Sequence, residues 1–433
     1  MKKSINILFD ASCIVHAFNS KHVNRAGIFW VAYNVLKQFH KSNDYFITLL
    51  VPLEYYVKRN CELKQFISLF PKIIFNDKNL LLSNISHYKN QLLKSFNIIL
   101  ILKIIKNLLL LVLSNKNINK RIVNIDIYFS PVFAIPDIIK NKEYIKTINI
   151  LHDGIPLLKN IPNNTLLSFN SWYSLLIQNI NHNTYYFCVS ECTKKDFIEY
   201  FSDYLDEKKM FVTQNAASQI FFPKYDENEL QKVFNKYRIT NNNNKYIFSF
   251  CSIDPRKNIT FTIRCFLKFI IKHKIDDLYF YLGGAHFVDY IAQFTEEISA
   301  FKNYNDKIIR LGYVDDKDVN ILYSNSLFFT YLSQYEGFGM PPLEAMQSGT
   351  PVICSNNSSL PEVVGDAAIT IDYNSEDQCI KAFEDLYFNE ELRKQYIKKG
   401  LERGKLFSWE KTFELMNKHI IEILSENKEK LEK

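Results

Sequence analysis

No acidic residue stands between Asp77 and Asp126, and no second cysteine pair accompanies Cys188 and Cys192. Each absence narrows the options. The eight cysteines (Cys13, Cys61, Cys188, Cys192, Cys251, Cys265, Cys354, Cys379) are scattered through apolar surroundings. They read as buried reduced thiols, and the lone three-residue gap between Cys188 and Cys192 argues against a zinc site. Met1-Lys2-Lys3-Ser4 runs directly into an alternating strand pattern, which is not the apolar core of a secretory signal, so a cytoplasmic protein is expected. No short-period repeat and no known nucleic-acid module is visible, and no nucleic-acid partner is expected.

The acid-free region is instead basic and aliphatic, with Lys78, Lys89, Lys94, Lys103, Lys106, Lys116, Lys120 and Arg121. Within it Phe96–Leu113 is strongly apolar, but Lys103, Lys106 and Asn107 interrupt it at i, i+3 and i+4. Such a narrow polar stripe suits a buried helix, or a helix docked on an anionic membrane surface, better than a membrane span. Peripheral contact with the inner face of the cytoplasmic membrane through residues 78–121 is therefore the alternative to burial.

The 433 residues, 47% hydrophobic, suit two domains of about 200 residues each. Strand-like and helix-like segments alternate from end to end, the pattern of an α/β protein with parallel sheets. Strands are predicted at Ser4–Phe9, Tyr45–Val51, Asp126–Phe129, Thr147–Leu151 and Tyr185–Val189. In the second half they recur at Tyr246–Cys251, Tyr279–Leu282, Ile308–Leu311, Leu327–Tyr331, Pro351–Cys354 and Ala368–Ile371. Helices are expected at Phe29–Phe39, at Thr193–Tyr200 with Ser190 as N-cap, and at Ile259–Ile271. The polar run Asn241–Asn244 reads as an exposed loop, and the hinge falls near Asn215-Ala216-Ala217-Ser218.

Ligands of parallel sheets bind at the carboxyl ends of the strands, and the chemically distinctive segments fall there. In Tyr335–Met346, Glu336 and Glu344 flank Gly337-Phe338-Gly339, a loop that opens into a helix at Met340, Pro341 and Pro342. The glycines allow close approach of the backbone, and the free N–H groups of a helix start favour an anion. Glu344 is expected on the first turn, and Gly349 ends the helix. Arg256 and Lys257, in Ser252–Asn258, are adjacent cations able to neutralise a diphosphate leaving group. His152, in His152-Asp153-Gly154-Ile155-Pro156, closes a first-half strand and can face the second half across a cleft. Gly27, after Arg25 and Ala26, opens a helix and could approach a phosphate or the acceptor, or form a plain turn.

Together these segments resemble the retaining glycosyltransferases of the GT-B fold, specifically family 4 of bacterial glycan assembly. The resemblance rests on Glu336 and Glu344 with seven residues between them, Asp254–Asn258, His152–Pro156, Val189-Ser190-Glu191-Cys192-Thr193, Ser359–Ala368 and Phe407–Thr412. It implies two Rossmann-like doubly wound domains, 1–216 and 217–407, with a C-terminal helix of about 408–433 crossing back to the first. It implies that Arg256 and Lys257 hold the donor diphosphate, that Glu336 contacts the transferred sugar, and that Glu344 contacts the ribose. Phe338, Gly339, Met340 and Pro341 would shape the sugar and phosphate pocket, Val314 would lie near the base, and His152 would bond the donor sugar. The sequence departs from the family pattern in having only Gly27 in the first glycine loop and Asn215-Ala216-Ala217 where a glycine is usual.

The expected reaction is transfer of a hexose, mannose-type favoured, from a nucleotide sugar to a glycan or lipid-linked saccharide in capsule or lipopolysaccharide assembly. No cofactor or metal is expected, because cations and helix N–H groups can take up the leaving-group charge. The alternatives are a nucleotide-sugar epimerase and a non-catalytic nucleotide-sugar-binding scaffold of the same fold.

Overall fold

The computed structural model describes residues 4–19, 27–52, 69, 70, 72–76, 122, 124–158, 172–239, 245–284, 295, 296, 299 and 301–431. The basic stretch 78–121 with its apolar segment 96–113, the Asn241–Asn244 run, and Arg25 and Ala26 lie outside these residues. Among the described residues no helix is long and apolar enough to cross a membrane.

The strands are apolar on both faces, which requires helices on both sides of each sheet. The first sheet contains β1 (Ile5–Asp10), β2 (Tyr45–Pro52), β3 (Lys72–Asn76), β4 (Ile127–Ser130), β5 (Lys146–Leu151), β6 (Tyr185–Cys188) and β7 (Met210–Val212). All pair in parallel, in the order β3-β2-β1-β4-β5-β6-β7. Its helices are α1 (Ser12–Asn19), α2 (Gly27–Lys41), α3 (Asp137–Lys140), α4 (Trp172–Gln178) and α5 (Glu191–Phe201). Phe9 stacks on Phe129 at 5.4 Å between ring centroids, and Phe39 of α2 meets Phe129 edge-on at 5.3 Å, tying helix to sheet.

The second sheet begins after α6 (Glu227–Lys236). It contains β8 (Lys245–Phe250), β9 (Leu278–Gly283), β10 (Ile308–Gly312), β11 (Phe328–Tyr331), β12 (Val352–Ser355) and β13 (Ile369–Ile371). The order β10-β9-β8-β11-β12-β13 is doubly wound, with its switch point between β8 and β11. Its helices are α7 (Ile259–His273), α8 (Asp316–Ser324), α9 (Met340–Gln347), α10 (Leu360–Val364), α11 (Glu376–Phe388) and α12 (Glu390–Gly404).

The last helix, α13 (Trp409–Leu431), returns to the first sheet's helices. Gln38 Nε2 donates to Glu410 at 3.1 Å, the Tyr185 hydroxyl donates to Glu426 at 2.7 Å, and the Phe39 and Phe413 rings meet edge-on at 5.2 Å. Strands β3 and β7 were not among those expected from the sequence. Helix α5 starts at Glu191 rather than Thr193, since the Ser190 hydroxyl accepts the Thr193 N–H at 3.0 Å and so fixes the turn two residues earlier.

Candidate active site

The loops after β8 and β11 straddle the switch point of the second sheet and meet in one buried cluster. After β8, the Asp254 carboxylate accepts the Arg256 N–H at 2.9 Å and caps a single turn at Pro255–Lys257. Asn258 then takes a left-handed conformation (φ 55°), so that α7 can start at the next residue. Its side-chain amide donates to the Tyr373 carbonyl at 2.7 Å and anchors the bend.

The result turns both cations onto Glu336. One oxygen, Oε1, accepts from Lys257 Nζ at 2.6 Å, from the Tyr331 hydroxyl at 2.9 Å and from Arg256 Nη1 at 3.0 Å. Lys257 Nζ also donates to the Tyr331 hydroxyl at 2.7 Å, which sends that hydroxyl's own proton to the carboxylate. Burial alone would raise the Glu336 pKa, but Lys257 and Arg256 together bring it down to about 2. Burial and the neighbouring Arg256 charge lower the Lys257 pKa, against the pull of Glu336. Asp153, from the other domain, lies close enough to feel Arg256, yet burial still raises its pKa.

The glycine loop leads straight into α9. Gly339 has φ 110°, a conformation closed to other residues, and Pro341 and Pro342 occupy the first turn. Ser359 pins the loop, its single hydroxyl proton shared between the carbonyls of Glu336 (2.9 Å) and Phe338 (2.7 Å). Gly349, with φ 75°, follows the helix end. Glu344 lies on the second turn of α9, not the first, and its carboxyl accepts from the buried Tyr323 hydroxyl at 3.3 Å. Burial raises its pKa to about 8, so a substantial fraction is neutral at pH 7.

His152 follows β5. Its Nε2 lies 2.7 Å from the Pro131 carbonyl, and a carbonyl can only accept, so Nε2 carries the proton and Nδ1 keeps a lone pair. Burial lowers its pKa to about 4, leaving the ring neutral near pH 7. The two domains touch closely here: a Cβ on Gly337 would fall 2.1 Å from the His152 carbonyl oxygen.

Between the domains lies a cleft of about 460 Å³, within the range of small-molecule sites. His152, Lys257, Glu336 through Pro341, Glu344, Val314 and Gly27 all line it, so these predicted positions converge on one cavity. Arg256 does not line it; its guanidinium lies against Glu336 and donates to the Tyr335 carbonyl at 2.5 Å. Among the described residues a Cβ on Gly27 would meet nothing within 4 Å, in keeping with its place at the cleft. Among the described residues no group of three His, Cys, Asp or Glu side chains is placed to hold a metal ion.

Residues 231–403 match the family model described as Glycosyl transferases group 1. That stretch is similar to the group 1 glycosyl transferases. It holds Arg256, Lys257, Glu336 and Glu344, and it adopts the second Rossmann-like half of a GT-B fold. The chain is 32% identical over 222 residues to the O-antigen chain mannosyltransferase B of Escherichia coli, covering 51% of this chain and 56% of that protein. It is 25% identical over 286 residues to the serotype-specific mannosyltransferase WbdA of Escherichia coli, covering 66% of this chain and 34% of that one. The match thus spans about half of the first relative's length and a third of the second's. The fold as a whole is similar to a glycosyltransferase from Rickettsia africae ESF-5 (TM-score 0.63, 19% identity, 98% of each chain covered). It is also similar to Anabaena Alr3699/HepE in complex with UDP-glucose (TM-score 0.64, 13% identity, 96% of this chain and all of that one).

Sequence reasoning missed several partners that set the chemistry of this site. Tyr331 reads only as the end of a strand and Tyr323 is not singled out, yet their hydroxyls bond the two glutamates. Trp30 and Asn34 of α2 line the cleft on the first domain's side. A tyrosine closing a strand five residues before Glu336 was the one available signal for Tyr331; nothing in the spacing pointed to Tyr323.

Proposed function

We propose that the protein is a retaining glycosyltransferase of family 4, moving a hexose, mannose-type favoured, from a nucleotide sugar to a saccharide acceptor. Its place is surface polysaccharide assembly, and the acceptor is a glycan or lipid-linked saccharide. The names of the curated relatives support the sugar and the setting. The observation that carries the reaction is the ionised Glu336, held by Lys257 and Arg256 at the wall of a cleft that also contains Glu344 and His152.

Lys257 supplies positive charge to the departing diphosphate, joined by the free N–H groups at the start of α9. Arg256 acts from behind Glu336, sharing its charge with the carboxylate and reaching the phosphates by a side-chain turn. In the reaction the bond from the sugar's anomeric carbon to the diphosphate oxygen breaks, and the acceptor oxygen bonds that carbon on the same face. The acceptor's proton passes to the departing phosphate oxygen. Glu336 is ionised at neutral pH and stabilises the oxocarbenium-like sugar between these events. Neutral His152 accepts a sugar hydroxyl at Nδ1, and Glu344 accepts the ribose hydroxyls. This arrangement needs no metal and no cofactor.

Titrating the full chain with UDP, GDP, ADP and dTDP and their sugar conjugates tests the reading. One nucleotide class is expected to bind and its sugar conjugate to be turned over without added metal. Binding of none would overturn the proposal, and binding without turnover by any conjugate would favour a scaffold.

A further inference from the structure

Two motifs whose charged and capping side chains stand outside the donor cleft, Val189–Thr193 and Ser359–Ala368, meet each other across the domain boundary. The Glu362 carboxylate, from α10 of the second domain, accepts the main-chain N–H groups of Glu191 at 2.9 Å and Cys192 at 2.7 Å. These are the first two residues of α5 in the first domain, where a helix leaves N–H groups without internal partners and carries partial positive charge. Arg403 fixes α10 from behind, its Nε donating to the Val363 carbonyl at 2.9 Å and its Nη2 to the Glu362 carbonyl at 2.5 Å.

The same helix start grips the glycine loop. Ser190 Oγ donates to the Gly337 carbonyl at 2.6 Å and Thr193 Oγ1 to the same oxygen at 3.1 Å. One turn further on, the Tyr335 hydroxyl donates to Asp196 at 2.6 Å. Every one of these bonds joins the two domains, and they flank Glu336 on both sides in sequence. Thr193 Oγ1 also lies 3.3 Å from the His152 carbonyl, so one side chain touches both the histidine's backbone and the glutamate loop.

We propose that Glu362, Ser190 and Thr193 form an interdomain clasp that positions His152 against Glu336, with Glu362 as its charged anchor. None of the three lines the cleft, so they are positioning residues. The clasp rests on the transferase reading for its purpose. It explains why a helix start and a five-residue helix that supply no side chain to the cleft share in the site: they set the distance between two half-sites carried by separate sheets. Ser190 has a double duty, since it also caps α5, whereas Glu362 has no role inside either domain's core.

The test compares wild-type full chain with Glu362→Ala, Glu362→Gln and Thr193→Val. Hydrogen exchange at the Glu191 and Cys192 amides is expected to speed up about tenfold in Glu362→Ala, the loss of a charge-assisted pair of bonds, and less in Glu362→Gln. With the donor found in the nucleotide titration, turnover falls by at least the same factor. The dissociation constant of the nucleoside diphosphate changes little, because the groups proposed to hold it, Lys257, Glu344 and the start of α9, all belong to the second domain. Thr193→Val, which keeps the side chain's shape, is expected to show the same split between turnover and nucleotide affinity. Unchanged exchange and turnover in Glu362→Ala would overturn the clasp, as would an equal loss of turnover and nucleotide binding, which would make Glu362 a support of the second domain. If no nucleotide binds the wild type, the transferase reading itself falls, an outcome distinct from either.

Discussion

The two glutamates that stand eight positions apart carry opposite electrostatic settings. Glu336 is saturated with donors at one oxygen and ionised over the whole working range, whereas Glu344, half-buried at the cleft wall beside a single tyrosine hydroxyl, resists ionisation. That difference has a measurable sign. In the unfolded chain Glu344 titrates near 4.5, and in the folded protein near 8, so between these values the folded state binds more protons. Wild-type stability relative to Glu344→Gln is therefore expected to fall as pH rises from about 4.5 to about 8 and to level off above, as thermal unfolding across that range would show. Ribose hydroxyls that favour the ionised form would release a proton on nucleotide binding at pH 7. Calorimetry in buffers of different ionisation enthalpy reads that proton directly; no buffer dependence would count against Glu344 as the ribose ligand.

At the scale of the element, the glycine of the loop before α9 and the glycine that opens α2 differ in what surrounds them. Gly337 sits hard against the His152 carbonyl, and a methyl group there has no room unless the domains separate. Gly27, at the start of α2, lines the cleft, and among the described residues a Cβ there meets nothing within 4 Å. Gly27→Ala is accordingly expected to leave the melting temperature and nucleotide affinity unchanged while weakening binding of the acceptor. Gly337→Ala is expected to reduce turnover by more than tenfold, with both sheets intact by circular dichroism. Equal effects of the two substitutions would contradict the geometry. Much of this layer was legible beforehand. The apolar runs gave eleven strands within a residue or two, and Pro341, Pro342 and Gly349 marked α9 at both ends, because those residues restrict the backbone locally. Strands β3 and β7 were not legible, the latter being only three residues long and held by pairing with β6. Ser190 was legible as the cap of α5, and only the first helical residue was set two positions late, because Glu191 and Cys192 follow the cap directly into the helix.

For the whole molecule, the switch point of the second sheet puts cations and carboxylate together, and the returning helix α13 ties the second domain to the first. Sequence reasoning reached the convergence of the loops because strand ends in a parallel sheet share an edge. It did not reach the contacts between domains, such as Glu362 on α5, since nothing in a linear pattern specifies how two separate sheets face one another. On the proposed reading, Glu336, in the grip of Lys257 and Arg256, is where the sugar is transferred. The most direct measurement is the rate of sugar transfer from the bound nucleotide sugar by wild type, Glu336→Ala and Arg256→Ala. A loss on the order of 100-fold or more in both variants is predicted, with the folded structure retained. Full turnover in either variant would contradict the claim.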